Sequence, residues 1–329
     1  MAKIINAKNA AITLGIAVVI LSICLVILAH RTNSPVLAIN ADCVKKYFLT
    51  SQTLDCDTYD SSITSINNLD QKLDTAVVLY LKEGKAEHVS VWVRDLTTLQ
   101  WASTNETQRY APASLMKVPL MISYFKLAQV EPSVLSSHLT FTAPQKDLNN
   151  SNQDYIPDDP LVIGKSYTVE QLIQHMILNS DNNATALLIT YIDPTLFENT
   201  LVDLGLKIPD NTTDYDFVTA KSYGNIFRTL YNASYLNRNY SQKALLLLSQ
   251  TKFQGLETGL PADVTVADKF GEREIDNPDG TVAKRELHDC GIIYKKSRPY
   301  TLCIMTDGSD FNSLLGIIHD LSSLTYQQL

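Results

Sequence analysis

The alternation of apolar and polar residues predicts strands on both sides of a long helical stretch. Apolar residues alternate with polar ones through EHVSVWVRDL, which is typical of a half-buried strand, and LQWASTNETQRY can form its hairpin partner. A helical pattern precedes them over residues 61–81. Between residues 114 and 248 the pattern predicts a run of helices over SLMKVPLMISYFKLAQ, TVEQLIQHMILNSDNNATALLITYI, PTLFENTLVDLG, TAKSYGNIFRTLYNASYL and SQKALLLLSQ.

Strand patterns return near the C-terminus in VTVADKFGERE, ELHDCGIIYKK and PYTLCIMTDG, and FNSLLGIIHDLSSL predicts a final helix. This order of elements does not fit a parallel sheet built by repeated strand-helix-strand units. It fits the α+β class, as an α/β sandwich with a five-stranded antiparallel sheet. The terminal helices should cover one face of the sheet, beside an all-helical subdomain. Thr168 and Gln171 are spaced as a capping box for one of these helices.

The N-terminus carries a long apolar segment, AITLGIAVVILSICLVILA, which contains no charged residue. At about 1.5 Å rise per residue it can span a hydrocarbon core of about 30 Å, and it exceeds the apolar region of ~7–15 residues in a cleaved signal peptide. Lys3 and Lys8 precede it, which places the N-terminus in the cytoplasm. We therefore predict a membrane signal anchor over residues 1–29, a polar extracytoplasmic stalk over 30–60 and one globular domain over 61–329.

The charge distribution does not favour nucleic-acid binding. The 27 basic and 35 acidic side chains give a net charge of −8, without long runs of either sign. A nucleic-acid interface requires a basic stripe, which this sequence lacks. We expect a monomer that does not bind nucleic acid.

The cysteines predict a disulfide-permissive setting and no metal site. Cys24 lies inside the apolar segment, where LSIC is a poor lipoprotein signal because Ile23 is bulky. The other four, Cys43, Cys56, Cys290 and Cys303, allow three full pairings outside the membrane, and the reduced state stays open. No C-x-x-C or Cys/His spacing typical of a metal site occurs, so no metal or cofactor is expected.

Strand register predicts that two of these cysteines are neighbours. If KKSR forms the loop between the last two strands, Tyr294 faces Pro299, and Cys290 then faces Cys303. Proline cannot donate a ladder hydrogen bond, so both pairs should be of the close, non-hydrogen-bonded type, with Cα atoms about 4.5 Å apart. That separation is at the short end of disulfide geometry, so a bond is possible at this position.

Three short polar motifs stand out from this pattern. In PASLMKVP, Ser114 precedes Lys117 by three residues inside an apolar run, at a spacing that places both side chains on one helical face. Buried lysine is rare without a partner. Either this amine extends to solvent along the helix, or the fold holds it beside the hydroxyl for chemistry. Ser180-Asp181-Asn182 and Lys269-Phe270-Gly271 follow further along the chain.

The order S-x-x-K, S-D-N and K-x-G resembles the class A β-lactamase-type, penicillin-recognising serine hydrolases over roughly residues 60–329. This resemblance implies an acyl-enzyme on Ser114, with Lys117 as its base, alone or through a water. Desolvation and the charge of Lys269 would lower the pKa of that amine. The resemblance also implies that Ser180 relays a proton to the leaving nitrogen and that Asn182 holds the substrate amide. Asp181 is expected to brace the loop.

The resemblance assigns the remaining substrate contacts to the strand. Lys269 supplies positive charge for the substrate carboxylate and for the relay hydroxyl, and Gly271 lets substrate lie along the strand edge. The backbone N–H groups of Ser114 and Glu272 would form the oxyanion hole, without the glutamate side chain. His288 is expected to be structural.

The sequence departs from the family pattern in two places. Phe270 stands where the family has a hydroxyl residue that contacts the substrate carboxylate, so Arg273 or Arg285 would have to replace that contact. The segment LGLKIPDNTTDYDFVTAKSYG lacks the glutamate that activates the deacylating water in class A β-lactamases. Asp214 and Asp216 are its nearest carboxylates, and turn and cap roles are favoured for both. Acylation chemistry is therefore retained, whereas rapid deacylation is not expected.

Three function classes follow from this pattern. The first is a β-lactamase-like hydrolase that deacylates slowly. The second is a DD-peptidase or acyl-transferase acting on peptidoglycan stem peptides, which the missing glutamate and the membrane anchor favour. The third, least favoured, is a non-catalytic binder or sensor. The expected partner is a small-molecule β-lactam or a peptidoglycan-derived peptide, and the expected location is a bacterial membrane with the catalytic domain outside.

Overall fold

A computed structural model describes residues 47–51, 66, 68–146, 148–150, 153–206, 215–279 and 281–329. The predicted anchor, most of the predicted stalk, Cys43, Cys56 and Asp214 lie outside these residues. In the part of the chain that the structure describes, no helix is both long and apolar enough to cross a membrane.

The described residues form an α+β sandwich, as predicted. The helices are α1 (Leu69–Lys82), α2 (Lys117–Ala128), α3 (Val169–Leu178), α4 (Asn182–Tyr191), α5 (Pro194–Asp203), α6 (Ala220–Tyr231), α7 (Arg238–Leu248) and α8 (Phe311–Gln328). The strands are β1 (His88–Asp95), β2 (Trp101–Thr104), β3 (His138–Thr140), β4 (Ser166–Thr168), β5 (Val266–Asp276), β6 (Val282–Ile293) and β7 (Tyr300–Gly308). Short 3₁₀ turns cover Ala113–Met116 and Pro132–Ser136.

Five strands form one antiparallel sheet in the order β2-β1-β7-β6-β5, and β3 pairs with β4 in a small separate ribbon. The terminal helices α1 and α8 pack together and against the sheet, where Leu73 and Ile318 belong to one buried cluster. Helix α6 packs on β1, β6 and β7, and its Phe227 belongs to a second cluster that extends through the helical subdomain. Strand β5 forms one of the two edges of this sheet, and it runs beside the turn that carries Ser114.

Burial of β1 differs from the sequence expectation. The alternating pattern predicts a half-buried strand, yet Val89, Ser90, Val91, Trp92 and Val93 are all buried. The prediction is wrong because helices cover both faces of the sheet, so neither face of β1 meets water. Ser90 is accommodated by hydrogen bonds to the Asn105 carbonyl (2.8 Å) and the Tyr110 hydroxyl (2.9 Å).

The long segment predicted as helical around Ser180 is two helices. Helix α3 begins at the predicted capping box, because the Thr168 hydroxyl accepts the Gln171 N–H. It ends before Ser180, whose φ of 52° is left-handed and cannot continue a helix. Asp181 then caps α4 by accepting the N–H groups of Asn183 (2.8 Å) and Ala184 (3.1 Å). The apolar periodicity continues across this break, so the sequence pattern does not reveal where the first helix ends.

The predicted register between the last two strands is confirmed. Ile293 faces Tyr300, and Cys290 faces Cys303 with a Cα–Cα distance of 3.9 Å. The two cysteines are joined by a disulfide. The strands β6 and β7 are thus covalently linked at the centre of the sheet.

Part of the predicted stalk packs on the domain. Leu49 is buried in the helical core, and its N–H donates to the Gln242 side chain (3.0 Å). The Ser51 N–H donates to the Tyr231 carbonyl (2.8 Å). Contacts of the domain therefore begin before residue 61.

Candidate active site

The turn that carries Ser114 is held from several sides. It precedes α2 directly, and Ala113 within it has a left-handed φ of 47°. Non-glycine residues adopt this conformation at a cost and retain it where the surroundings determine it. Here the Leu115 N–H donates to the Pro112 carbonyl (2.9 Å), and the Tyr223 hydroxyl donates to the Leu115 carbonyl (2.7 Å). The nucleophile candidate is therefore fixed by its backbone.

Lys117 is buried, so its amine does not extend to solvent. Its Nζ lies 2.9 Å from the Ser114 Oγ and 2.9 Å from the Ser180 Oγ. The Ser180 carbonyl and the Asn182 Oδ1 are both 2.7 Å away. Burial, followed by the charge of Lys269, lowers the pKa of Lys117 well below its ordinary value. A neutral amine in this position can accept the Ser114 proton.

Ser180 connects the two lysines to the nucleophile. Its Oγ donates to the Ser114 Oγ (3.2 Å) and accepts from Lys269 Nζ (3.2 Å). Asp181 braces this loop, as expected, because its carboxylate also accepts the Leu161 N–H (3.3 Å). The left-handed turn at Ser180 is thus fixed by hydrogen bonds of the next residue. A proton can pass between the two hydroxyls without a movement of the backbone.

Asn182 lies beside Lys117, but its amide is engaged within the protein. Its Nδ2 donates to the Asn149 carbonyl (3.1 Å), and its own N–H donates to the Asn150 Oδ1 (2.8 Å). A substrate amide would have to replace or share these contacts. Sequence reasoning missed Asn149 and Asn150, for which the run of polar residues at positions 149–154 was the available signal.

Lys269 is fully buried on β5. Its Nζ donates to the Phe270 carbonyl (3.0 Å) and lies 3.9 Å from the centre of the Phe270 ring. Burial is the largest cause that lowers its pKa, to about 8. The lysine is therefore a cation near neutral pH that is stabilised by an aromatic face, a backbone carbonyl and nearby carboxylates.

The Phe270 ring is packed inside the protein rather than along the active-site cavity. It stacks on Phe253 at a centroid distance of 4.0 Å and meets the edge of Tyr155 at 5.1 Å. The side chain is buried and does not line the cavity beside Ser114. Phe270, which stands where the family has a hydroxyl residue, thus contacts Lys269 from the protein interior.

Gly271 allows β5 to approach the turn that carries Ser114. A Cβ at this position would lie 2.8 Å from the Pro112 carbonyl oxygen and 2.9 Å from the Leu115 Cγ. Any other residue would force the strand and the turn apart. The glycine therefore has a packing role in addition to the substrate contact that the resemblance implies.

The Glu272 side chain also lies at the site, which sequence reasoning did not expect. Its Oε1 accepts the Tyr155 N–H (2.9 Å), whereas its buried Oε2 accepts no hydrogen bond from any described residue. Burial raises the pKa of this carboxyl. The oxyanion hole of the Ser114 and Glu272 N–H groups stays a prediction.

A cavity of about 630 Å³ opens beside these groups. One side presents Ser114, Lys117 and Asn182. The rest of the lining is rich in charge, and its carboxyl and guanidinium groups belong to Asp154, Glu272, Glu274, Asp276, Glu286, Arg273 and Arg285. Five carboxyl groups and two guanidinium groups thus form this part of the lining, which we call the acidic wall.

Both arginines considered as replacement cations line this cavity, but both are paired. Arg285 contacts Asp154 (2.7 Å) and Glu274 (2.6 Å). Arg273 lies 3.8 Å from Asp216 and 4.0 Å from Glu286. Asp216 is thus an ion-pair partner at the surface and not part of the cavity lining.

His288 has a structural position, as expected. It is fully buried, its Nε2 lies 3.1 Å from the Ala111 carbonyl, and its Nδ1 accepts the Thr306 N–H (3.3 Å). Burial lowers its pKa to about 4, so the ring is neutral at physiological pH. It connects β6 to the segment that precedes Ser114.

Comparisons with known proteins agree with this fold and place the chain in a family. The model of the β-lactamase enzyme family matches residues 68–329. The chain therefore belongs to that family, and it is a serine hydrolase of the class A β-lactamase type. A search of the curated proteins gave no significant match.

Several solved structures share the fold at low sequence identity. PBP-A has a TM-score of 0.65 and 18% identity, over 80% of this chain and 96% of its own. A mutant of PBP-A, solved as an acyl-enzyme complex with penicillin G, has a TM-score of 0.65 and 17% identity, over 80% of this chain and 98% of its own. An ancestral class A β-lactamase has a TM-score of 0.64 and 22% identity, over 79% of this chain and 100% of its own.

Proposed function

We propose that β-lactams acylate this protein on Ser114 and that the acyl group is released slowly. The observation that supports acylation is the position of the Lys117 amine, 2.9 Å from both the Ser114 and the Ser180 hydroxyl. Its lowered pKa makes it a base, and the side chain is buried beside the two hydroxyls. The acyl-enzyme complex of the PBP-A mutant supports the same substrate class.

The proposed acylation step uses both hydroxyls. Lys117 accepts the Ser114 proton while the Ser114 Oγ attacks the lactam carbonyl carbon. The carbonyl oxygen becomes an oxyanion, for which the Ser114 and Glu272 N–H groups are the proposed donors. As the C–N bond breaks, the ring nitrogen takes a proton from Ser180, which regains one from Lys117. The product is an ester on Ser114 that retains every atom of the β-lactam.

Slow release follows from the absence of a dedicated base. No glutamate occurs in residues 204–224, where class A β-lactamases carry the one that activates the deacylating water. Asp216 in this segment is about half exposed and faces Arg273. Loss of a general base typically costs about 10²–10⁴ in rate. The ester should therefore accumulate.

Two assays test this proposal. A fluorescent penicillin should label the protein stoichiometrically, and the Ser114→Ala variant should not be labelled. A chromogenic cephalosporin should give a burst of about one equivalent per chain, followed by slow steady turnover. Failure to label the unmodified protein would favour a non-catalytic binder, whereas rapid turnover would favour a working β-lactamase.

A rapid turnover result would make the Glu272 carboxylate the first to examine as the deacylation base. Glu272 lines the cavity, and its Oε2 has no described hydrogen-bond donor. A Glu272→Gln variant that accumulates ester where the unmodified protein does not would identify this side chain as the deacylation base.

The acidic wall favours a second candidate, an acyl-transferase acting on cell-wall peptides. Five carboxyl groups against two guanidinium groups attract a substrate that carries a free amine, such as a diamino acid side chain. A pentapeptide ending in D-Ala-D-Ala with a free side-chain amine should then release D-alanine faster than its N-acetylated form. Equal rates, or no release, would count against this candidate.

For either candidate function, we propose that residues 1–29 anchor the domain to a bacterial membrane, on its outer side.

A further inference from the structure

Three carboxyl groups meet away from the active-site cavity. Asp268 lies on β5 directly before Lys269, Asp289 lies on the neighbouring strand β6, and Glu257 lies in the connection between α7 and β5. One oxygen from each can be chosen so that all three lie within 4.8 Å of one another. Asp268 and Asp289 are 2% and 0% exposed. Such a cluster of buried acids is costly unless something compensates its charge.

Hydrogen bonds satisfy only some of the carboxyl oxygens of this cluster. The Thr251 hydroxyl donates to Asp268 Oδ1 (3.1 Å), and the Leu256 N–H donates to Asp289 Oδ2 (2.8 Å). The Gly255 N–H donates to Glu257 Oε2 (3.2 Å). A Cβ at Gly255 would clash with the Asp289 carboxyl, so the glycine lets the loop close over it.

Two oxygens remain without a donor. Asp268 Oδ2 and Asp289 Oδ1 are buried and accept no hydrogen bond from the other described residues, and the two carboxyl groups are close enough to share a proton. Within the same part of the chain, no lysine or arginine forms an ion pair with any of the three carboxyl groups. Buried polar atoms in native proteins are rarely left in this state, so either a proton shared by the two carboxyl groups or a bound cation has to compensate them.

The cluster is accessible from the surface. A second cavity, of about 450 Å³, is lined by Thr251, Gln254, Glu257 and Asp268 and by the loop over residues 260–266. An ion and its waters can therefore reach two of the three carboxyl groups without opening the core.

We propose that Glu257, Asp268 and Asp289 bind a divalent cation with a preference for oxygen ligands, and that Ca²⁺ fits best. Two ligands at about 2.4 Å from a Ca²⁺ ion are at most about 4.8 Å apart, and the three oxygens lie within that distance of one another. Ca²⁺ tolerates irregular geometry and completes its shell with waters, whereas Mg²⁺ requires a near-octahedral site of shorter bonds. The cluster contains no histidine or cysteine, the ligands that Zn²⁺ prefers.

The bound ion would cross-link three parts of the fold behind the active site. It would join β5, β6 and the loop after α7, and β5 carries Lys269 and Gly271. Because the ion binds the folded protein and not the unfolded chain, it should raise the melting temperature with increasing concentration.

Isothermal titration calorimetry of the EDTA-treated, buffer-exchanged full chain with CaCl₂ at pH 7.5 tests the proposal. We expect one site per chain, with a melting temperature that rises in CaCl₂ and returns in EDTA. Glu257→Gln should abolish the binding heat and the melting shift. Glu198→Gln, which removes an exposed carboxylate elsewhere, should preserve both.

Two results would overturn the proposal. No binding heat and no melting shift at 10 mM CaCl₂ in the unmodified protein would mean that Asp268 and Asp289 instead share a proton. Undiminished binding in Glu257→Gln would place the ion elsewhere. The titration of the unmodified protein decides the first point even if the variant fails to fold, and neither result depends on activity.

Discussion

At the scale of single residues, Lys117 is the group on which the proposed chemistry depends. Its amine is buried between two hydroxyls, a carbonyl and an amide oxygen, all within 2.9 Å. Burial disfavours the charged form of this amine, and the charge of Lys269 lowers its pKa further. The neutral form therefore has a chemical role in this position, which a lysine at the surface could not fill.

We predict that Lys117→Ala slows acylation by penicillin about 10²–10⁴-fold, because the variant loses its general base and keeps its nucleophile. Quenched-flow mass spectrometry of the adduct measures the rate. Lys126→Ala serves as control, since Lys126 lies on the same helix and contacts the Tyr235 carbonyl, away from the cavity. Acylation of Lys117→Ala at the unmodified rate would remove this residue from the mechanism.

The acylation rate should fall at alkaline pH because Lys269 loses its charge there, which gives the pH profile an alkaline limb. Burial lowers its pKa to about 8, so raising the pH through that value converts the ammonium to an amine. The neutral amine no longer attracts the substrate carboxylate, and the acylation rate should fall above about pH 8. At low pH the rate should fall as Lys117 becomes protonated. The second-order rate constant between pH 5 and 10 tests this, and a Lys269→Gln variant that retained the alkaline limb would contradict the assignment.

At the scale of elements, the close approach of β5 to the Ser114 turn depends on Gly271. We predict that Gly271→Ala loses at least tenfold in acylation rate, because its Cβ would contact the Pro112 carbonyl at 2.8 Å. Gly316→Ala is the matched control, since a Cβ on that residue of α8 has no heavy atom within 4 Å. Equal rates in the two variants would show that the strand can move without effect on the site.

The disulfide between β6 and β7 should stabilise the sheet. Cys290 and Cys303 close a loop with a sequence separation of 13, for which chain-entropy arguments give about 3 kcal/mol. We predict that the Cys290→Ala, Cys303→Ala double variant loses about that free energy of unfolding in urea. Unmodified protein unfolded and refolded with dithiothreitol should lose a similar amount. Identical midpoints with and without the reductant would mean that the cysteines are already reduced.

The sequence predicted most elements because apolar periodicity and turn residues are local signals. The capping box at Thr168, the register around Cys290 and the succession of strands and helices along the chain follow from such signals. The break at Ser180 does not, because the left-handed turn is fixed by the Asp181 cap and the Lys117 contacts. The burial of β1 also depends on helices far away in the chain.

At the scale of the whole molecule, the site joins three segments that are distant in sequence. Ser114 comes from the turn before α2 and Lys117 from the first residue of α2. Ser180 comes from the break between α3 and α4, and Lys269 from the edge strand β5. The family motifs predicted that these residues meet, and the hydrogen bonds among them confirm it.

Other features of the site could not be predicted from the sequence. The acidic wall depends on how β5 and β6 bring Glu274 and Glu286 to the cavity that α4 also lines. The contact of Asn182 with Asn149 depends on a loop without a local pattern. The Glu257, Asp268 and Asp289 cluster is likewise assembled from three elements, and no spacing in the sequence indicates it. These properties arise from tertiary packing.

We propose above all that the ester on Ser114 is hydrolysed much more slowly than it forms. Intact-protein mass spectrometry, at intervals after mixing with excess penicillin, tests it most directly. We predict one adduct of the full penicillin mass per chain, on the peptide that contains Ser114, which persists after free penicillin is removed. No adduct should form on Ser114→Ala. Rapid loss of penicillin without a detectable adduct, or an adduct on the alanine variant, would contradict the account.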